Sequence, residues 1–337
     1  MDWEELLAEF RALGGVFENL RVGDGESGRG VFVIDRTKPA TLRVPRNLLI
    51  PIDDLAVRDG HLTLKPESGA GARERSFFET YQRYFGWSAG ILDDIAGQQA
   101  EWYELPVEIK RLICNMGAIG EPEKRFREPS GDVCLAQYIE TRDLYFEGKP
   151  HIAPILEIVN HSPTGRDYGS ENGLSVAGTF EKEVLARYNV RDAWAVALHY
   201  GFAHRSPYAY SLAIAVEIAG SKRLSIDRQA GGVRLIDGVR FPQREDDGKV
   251  VKLSNLMLGN ANGMDLPRAV FRKLMSDTLA TAQADEVFDG IAFYNRGRFL
   301  DTLSTLAKYD GNIVKMLRSA AIHQLHALSA CVGAREL

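Results

Sequence analysis

Ile155–Pro163 reads ILEIVNHSP and Val184–Phe202 reads VLARYNVRDAWAVALHYGF, and the fold turns on these two stretches. The first is an apolar β-forming run that stops at Asn160 and His161, polar residues of the kind that end strands in turns. The second opens with a short β-like run, EVLARY when Glu183 is included, and passes into the helix-like DAWAVALHY. Taken alone, an Asn-His pair behind a strand caps a turn, and aromatic residues such as Tyr200 and Phe202 fill a core.

Outward from this centre the chain is made of short β-like runs. VFENLRV, GVFVI, TLRVP and LLI lie upstream, separated by Gly, Pro and Asp; VCLAQYIE, GLSVAGTF, SLAIAVEI, RLSIDRQ and VVKLS complete the set. Helical spacing marks the start, where Trp3, Leu6, Leu7, Phe10 and Leu13 recur ahead of Gly14 and Gly15. It returns from about Gly71 to Met116, with Phe77, Phe78, Tyr81, Tyr84 and Phe85 clustered and PVEIKRLICNM starting at Pro106. After Pro267 the reading is helical through Ala334, and Val314, Leu317, Ala321, Leu325 and Leu328 make one apolar stripe. Strands do not alternate with long helices, so the class is α+β, and a doubly wound sheet is not expected.

At 337 residues the chain exceeds the roughly 250–300 at which single cores stop growing, so two packed units are expected. A net charge of −5, with both signs mixed along the chain, offers no cationic face for a phosphate backbone, and nucleic acid is not an expected partner. Cys114, Cys134 and Cys331 lie far apart and form no CxxC pair, which suggests neither a disulfide framework nor a zinc cluster; a reducing cytoplasm is the expected location. MDWEELLAEF is acidic and amphipathic, and no apolar run reaches the roughly 18 residues of a membrane span, so neither a signal peptide nor a membrane anchor is expected. His323 and His326 lack a third ligand at suitable spacing, His199 and His204 read as packing residues, and no GxSxG elbow occurs. No metal site is expected.

Four segments in order, GRGVFVIDRTKPATLRVPRNLLIPID (Gly28–Asp53), YIETRDLYF (Tyr138–Phe146), ILEIVNHSP and VLARYNVRDAWAVALHYGF, resemble landmarks of SET-domain methyltransferases of the Rubisco large-subunit methyltransferase type. The resemblance spans about Val16 to Ile218. It implies a SET-type fold of short twisted sheets with a knot-like crossing over residues 1–260, a helical insertion at about 71–117, and an all-helical C-terminal domain over 261–337. It further implies an S-adenosylmethionine-dependent protein N-methyltransferase acting on a lysine side chain of a protein docked on the helical C-terminal domain. A histidine acceptor, or a catalytically degraded SET-like module that acts in protein binding, is the alternative. A monomer is expected.

The same resemblance assigns the site. Asn160 and His161 would bind the cofactor's amino-acid and adenine portions, and Gly28 and Gly30, flanking Arg29, would let backbone approach the ligand, although GRG also reads as an ordinary hairpin turn. Arg142 would face the cofactor carboxylate, with a solvated surface arginine as the other reading. Glu157 stands where the family has Asp, and Arg191 falls on a further cofactor-side position. Tyr188 would sit at the junction of the cofactor and target-nitrogen channels. Tyr200 would line the acceptor channel, with Phe202 nearer the cofactor; aromatic core is the alternative for both.

Overall fold

The computed structural model describes residues 2–25, 28–117, 122–188, 190–218, 220, 222–228, 235–236, 239–260 and 263–331. Asn189, inside the second of the deciding stretches, and the tail 332–337 lie outside the described residues. Among those described the chain is mixed α and β. Its helices are α1 (Trp3–Ala12), α2 (Ala72–Tyr84), α3 (Leu92–Glu104), α4 (Val107–Met116), α5 (Gly131–Arg142), α6 (Ala193–Tyr200), α7 (Asp265–Met275), α8 (Thr281–Leu306) and α9 (Asn312–Cys331), with several small sheets between them. No helix among the described residues is long and apolar enough to cross a membrane.

The chain divides into two compact units that interleave in sequence, Met1–Gly97 with Pro129–Val190, and Gln98–Glu128 with Arg191–Leu337. In the first unit α1 is started by a capping box, Asp2 accepting from the Glu5 amide while Glu5 accepts from the Asp2 amide. Its buried Leu6, Leu7 and Phe10 face a sheet in which Ala40–Pro45 lies between Val16–Glu18 and Gly173–Gly178, all antiparallel. Ala40, Leu42 and Val44 are buried and alternate with half-exposed residues, the period-two pattern of a strand with one face on a core. Hairpins form at Leu20–Gly25 with Gly28–Val33 and at Leu55–Arg58 with His61–Leu64, and Ile50–Pro51 pairs antiparallel with Lys149–Ile152.

VCLAQYIE, read above as a strand, forms α5. Ser130 caps the helix by accepting from the Val133 amide at 3.3 Å, and the buried positions are Cys134, Gln137 and Tyr138, spaced three and four apart. Segment composition favoured a strand, whereas the spacing of the residues that reach the core is helical. ILEIVN likewise departs from a continuous strand: Leu156–Ile158 is a 3₁₀ turn, and the strand begins at Asn160.

In the second unit one core joins strands and helices. Leu224, Ile226, Val251 and Leu253 come from a sheet ordered Ile214–Ile218, Lys222–Ile226, Val250–Leu253, Arg244–Asp246; Phe271, Phe288, Phe299 and Leu317 come from α7–α9. Trp102, Ile109 and Ile113, from α3 and α4, lie in that same core. The C-terminal region is helical, and Val314, Leu317, Ala321 and Leu328 of the α9 stripe are buried.

Candidate functional site

Asn160–Arg166 runs parallel to the short strand Leu185–Ala186, with Asn160 opposite Leu185 and His161 opposite Ala186. Arg166 is also registered with Ala186, so the intervening residues leave that partner and return to it. The return is tight. A Cβ on Gly165 would stand 2.7 Å from the Ala186 carbonyl carbon and 2.8 Å from the Leu185 oxygen, so only glycine fits, and the Arg187 amide donates to the Arg166 carbonyl at 2.8 Å.

Tyr188 follows directly and is held at both ends by the other stretch. Its amide donates to His161 Nδ1 at 3.2 Å, its hydroxyl donates to the Val159 carbonyl at 2.5 Å, and the two rings lie 5.0 Å apart. With Nδ1 accepting, a neutral His161 ring carries its proton on Nε2. With its proton on Val159, the Tyr188 oxygen turns lone pairs to any further partner.

The Asn160 side chain is oriented as fully. Nδ2 donates to the Arg29 carbonyl at 3.1 Å and to Glu183 Oε1 at 2.7 Å, which uses both amide hydrogens and leaves Oδ1 to accept. Glu183 is placed by backbone pairing on either side of it: the Val33 amide donates to the Lys182 carbonyl at 3.0 Å, and the Val184 amide to the Val31 carbonyl at 2.8 Å. Gly30 lies between these groups, and a Cβ there would meet Glu183 Oε1 at 2.5 Å and Asn160 Nδ2 at 2.8 Å. Gly28 opens the strand opposite Gly25. The Arg29 guanidinium points elsewhere, donating from Nη1 to the Phe85 carbonyl at the end of α2 at 2.7 Å.

Glu157 and Arg142 belong to a separate cluster in the same unit. The Tyr138 hydroxyl stands 3.0 Å from Glu157 Oε1 and 2.9 Å from Gln82 Oε1, which also accepts from the Trp87 amide at 3.0 Å. Burial pushes the Glu157 carboxyl above its ordinary value, against the opposing pull of the Arg142 charge and of hydrogen bonding from Tyr138. The buried phenols of Tyr81 and Tyr138 are driven up by burial first and by the Glu157 charge second. Arg142 lies over the Tyr138 ring, 4.7 Å from its centroid.

The remaining assigned residues, Arg191, Tyr200 and Phe202, belong to the second unit. Asp192 caps α6 by accepting from the Ala195 amide at 2.8 Å, and Gly201 closes it in the left-handed region. At that closing end Tyr200 stacks on Phe202 with centroids 5.9 Å apart, His199 meets Tyr200 edge-on at 4.5 Å, and Arg191 stands 5.7 Å from the Tyr200 ring.

The expected residues thus gather as Gly28–Gly30 with Asn160, as His161 with Tyr188, and as Arg142 with Glu157 in one unit, and as Arg191, Tyr200 and Phe202 in the other. Sequence reasoning missed Glu183, and it named Tyr81 only within a cluster of aromatics at helical spacing. For Glu183 a signal existed: in FEKEV it alternates with Val184, which sets an acid on the face opposite a core residue. No family model matches this chain, and no curated protein matches it either.

Proposed function

We propose that this chain is an S-adenosylmethionine-dependent protein N-methyltransferase of the SET type, acting on a lysine of a protein substrate that docks on the helices after residue 261. The observation that carries the reading is Tyr188, held by amide and hydroxyl alike against Val159–His161.

The residues present fit such a cofactor. Asn160 offers Oδ1 as an acceptor, Glu183 adds negative charge beside it, and glycine at position 30 leaves room for these two side chains to meet. An ammonium group, which only donates, suits that corner. When bound, the cofactor supplies an electrophilic methyl group on a sulfonium.

The chain's own residues then have two tasks. Tyr188, its hydroxyl proton committed to Val159, accepts from the N–H of the incoming amine and aims the nitrogen lone pair; most of the rate gain in such a transfer comes from alignment. The target amine must also be neutral, although its reference pKa is about 10.4. Burial beside a cationic cofactor lowers that value by desolvation and like-charge repulsion.

Titration calorimetry with S-adenosylmethionine, followed by transfer of labelled methyl to lysate proteins, tests the reading. Tyr188→Phe is expected to lose transfer while keeping cofactor affinity, and Asn160→Ala to weaken the affinity itself. Undiminished transfer by Tyr188→Phe removes that residue from its role. Cofactor binding without any labelled protein turns the assignment toward a binding module.

A further inference from the structure

Tyr188 keeps its hydroxyl on the Val159 carbonyl, so whatever fixes that carbonyl fixes Tyr188. Val159 closes the 3₁₀ turn Leu156–Ile158, its amide donating to the Leu156 carbonyl at 3.1 Å, and the middle residue of that turn is Glu157. The turn is entered under strain. Ile155, β-branched and fully buried, sits at φ +69° and ψ −42°, a conformation such a residue keeps only where its surroundings impose it. One of the contacts that hold the turn is polar: Glu157 Oε1 meets the Tyr138 hydroxyl at 3.0 Å.

The number of hydrogens around that hydroxyl sets the state of Glu157. Tyr138 has one proton and faces two oxygens, Glu157 Oε1 and, at 2.9 Å, Gln82 Oε1. Reversing the Gln82 amide does not help, because Gln82 Oε1 also accepts from the Trp87 amide at 3.0 Å, and a reversed amide would set N–H against N–H there. A proton on Glu157 Oε1 satisfies every contact: the acid donates to Tyr138, and Tyr138 donates to Gln82. The other carboxyl oxygen, Oε2, is buried and accepts no hydrogen bond among the described residues, a poor setting for a full negative charge. Facing Glu157 are the phenols of Tyr81 from α2 and Tyr138 from α5, and the Arg142 guanidinium at the end of α5. Burial, which favours the neutral acid, outweighs the Arg142 charge, which favours the carboxylate.

We propose that Glu157, as the neutral acid, is a positioning residue for Tyr188: its O–H to Tyr138 holds the strained turn where the Val159 carbonyl meets the Tyr188 hydroxyl. Loss of the proton leaves one hydrogen among three oxygens and lets the carboxylate swing toward Arg142, so the turn relaxes and the Tyr188 hydroxyl loses its fixed acceptor. The proton state of Glu157 is thereby felt at Tyr188. That this lowers methyl transfer rests on the function proposed above; the coupling itself does not.

NMR of the full chain, with tyrosine isotope-labelled at the phenolic carbon, follows the coupling from about pH 5 to about pH 8, the Tyr188 signal being the one lost in Tyr188→Phe. Glu157→Gln offers Tyr138 an N–H at every pH, and any titration of His161, whose ring lies 5.0 Å from that of Tyr188, is common to parent and variant. The parent Tyr188 signal is expected to coincide with that of Glu157→Gln at the acid end and to depart from it as pH rises; Glu157→Ala is expected to displace it throughout. The same pH course in parent and Glu157→Gln overturns the proposal, as does a Glu157→Ala protein with the Tyr188 signal unmoved. Should Glu157→Ala not fold, the other two titrations decide alone. In the transfer assay the ratio of Glu157→Gln to parent is expected to rise over the same range, by about tenfold. Coupling seen in a chain that does not bind S-adenosylmethionine keeps this inference and removes the proposed function, whereas transfer without coupling does the reverse.

Discussion

Asp192 and Glu157 are both acids set into a core, one in each unit, and they are accommodated differently. Asp192 is fully buried; Oδ1 caps α6 while Oδ2 accepts from Arg228 at 2.7 Å and from Gln324 at 3.1 Å, and the Arg228 side chain is 3 % exposed. Glu157 is met instead by the phenol of Tyr138, with Arg142 acting on it from over the Tyr138 ring. A buried carboxylate opposite a buried cation is a paired charge, whereas one among phenols and an amide is pushed toward its neutral form by burial. One acid ties a helix start to a distant arginine. The other is a polar node that tolerates protonation.

That contrast predicts the largest effect at Asp192. Asp192→Ala strands the Arg228 charge in the core and removes a helix cap, and breaking a buried pair on one side costs on the order of 3–5 kcal/mol. Asp192→Asn keeps the cap, since Asn serves at that position as well as Asp, and is expected to lose clearly less. Denaturant unfolding of the two variants separates cap from charge. If Asp192→Ala proves no worse than Asp192→Asn, the cap adds nothing, and if both match the parent, the pair with Arg228 is not what holds α6.

Glu183 sharpens the contrast, because its carboxylate orients another side chain, accepting from Asn160 Nδ2. Without its carboxylate, Asn160 loses the shorter of its two amide bonds and is free to turn, while the bond to the Arg29 carbonyl survives. Losing a hydrogen bond to a charged group costs about 1.5–3 kcal/mol, and under the proposed function that loss is expected for Glu183→Ala in S-adenosylmethionine affinity, about tenfold to a hundredfold, with little change in unfolding. Glu183→Gln retains an acceptor and should fall between. A loss of stability with intact affinity would class Glu183 with Asp192 as a structural acid.

The α+β class, the short strands and the helical C-terminal region were legible because each rests on local periodicity. VCLAQYIE was not, since β-forming residues fill a segment whose core contacts have helical spacing, and local composition cannot say which residues reach the core. Nor could any pattern show that Trp102, Ile109 and Ile113 share a core with strands a hundred residues further on. Within the site, the landmarks directed attention to Asn160 and Tyr188, and these stretches do pair. Glu183, by contrast, meets Asn160 through a bond spanning 23 residues, and Tyr81 looks like any apolar aromatic until a carboxyl is found beside it.

The smallest effect belongs to Glu157, and its direction with pH is the informative part. Its folded carboxyl titrates above the ordinary 4.5, so above that value the native protein holds a proton that the unfolded chain has released. The stabilising contribution is therefore complete below the ordinary value and is lost as pH rises through the raised one. Glu157→Gln has no proton to lose and still offers an oxygen to Tyr138, so it should begin within about 1 kcal/mol of the parent. It should then gain on the parent as pH rises from about 5 to about 8, the range over which native proteins are generally most stable. Unfolding free energies of both proteins across that range give the difference directly, with the titrations they share cancelling. A difference that stays flat means Glu157 ionises normally in the fold, and one that moves in the parent's favour means Arg142 serves it as Arg228 serves Asp192; either result removes the contrast between the two acids.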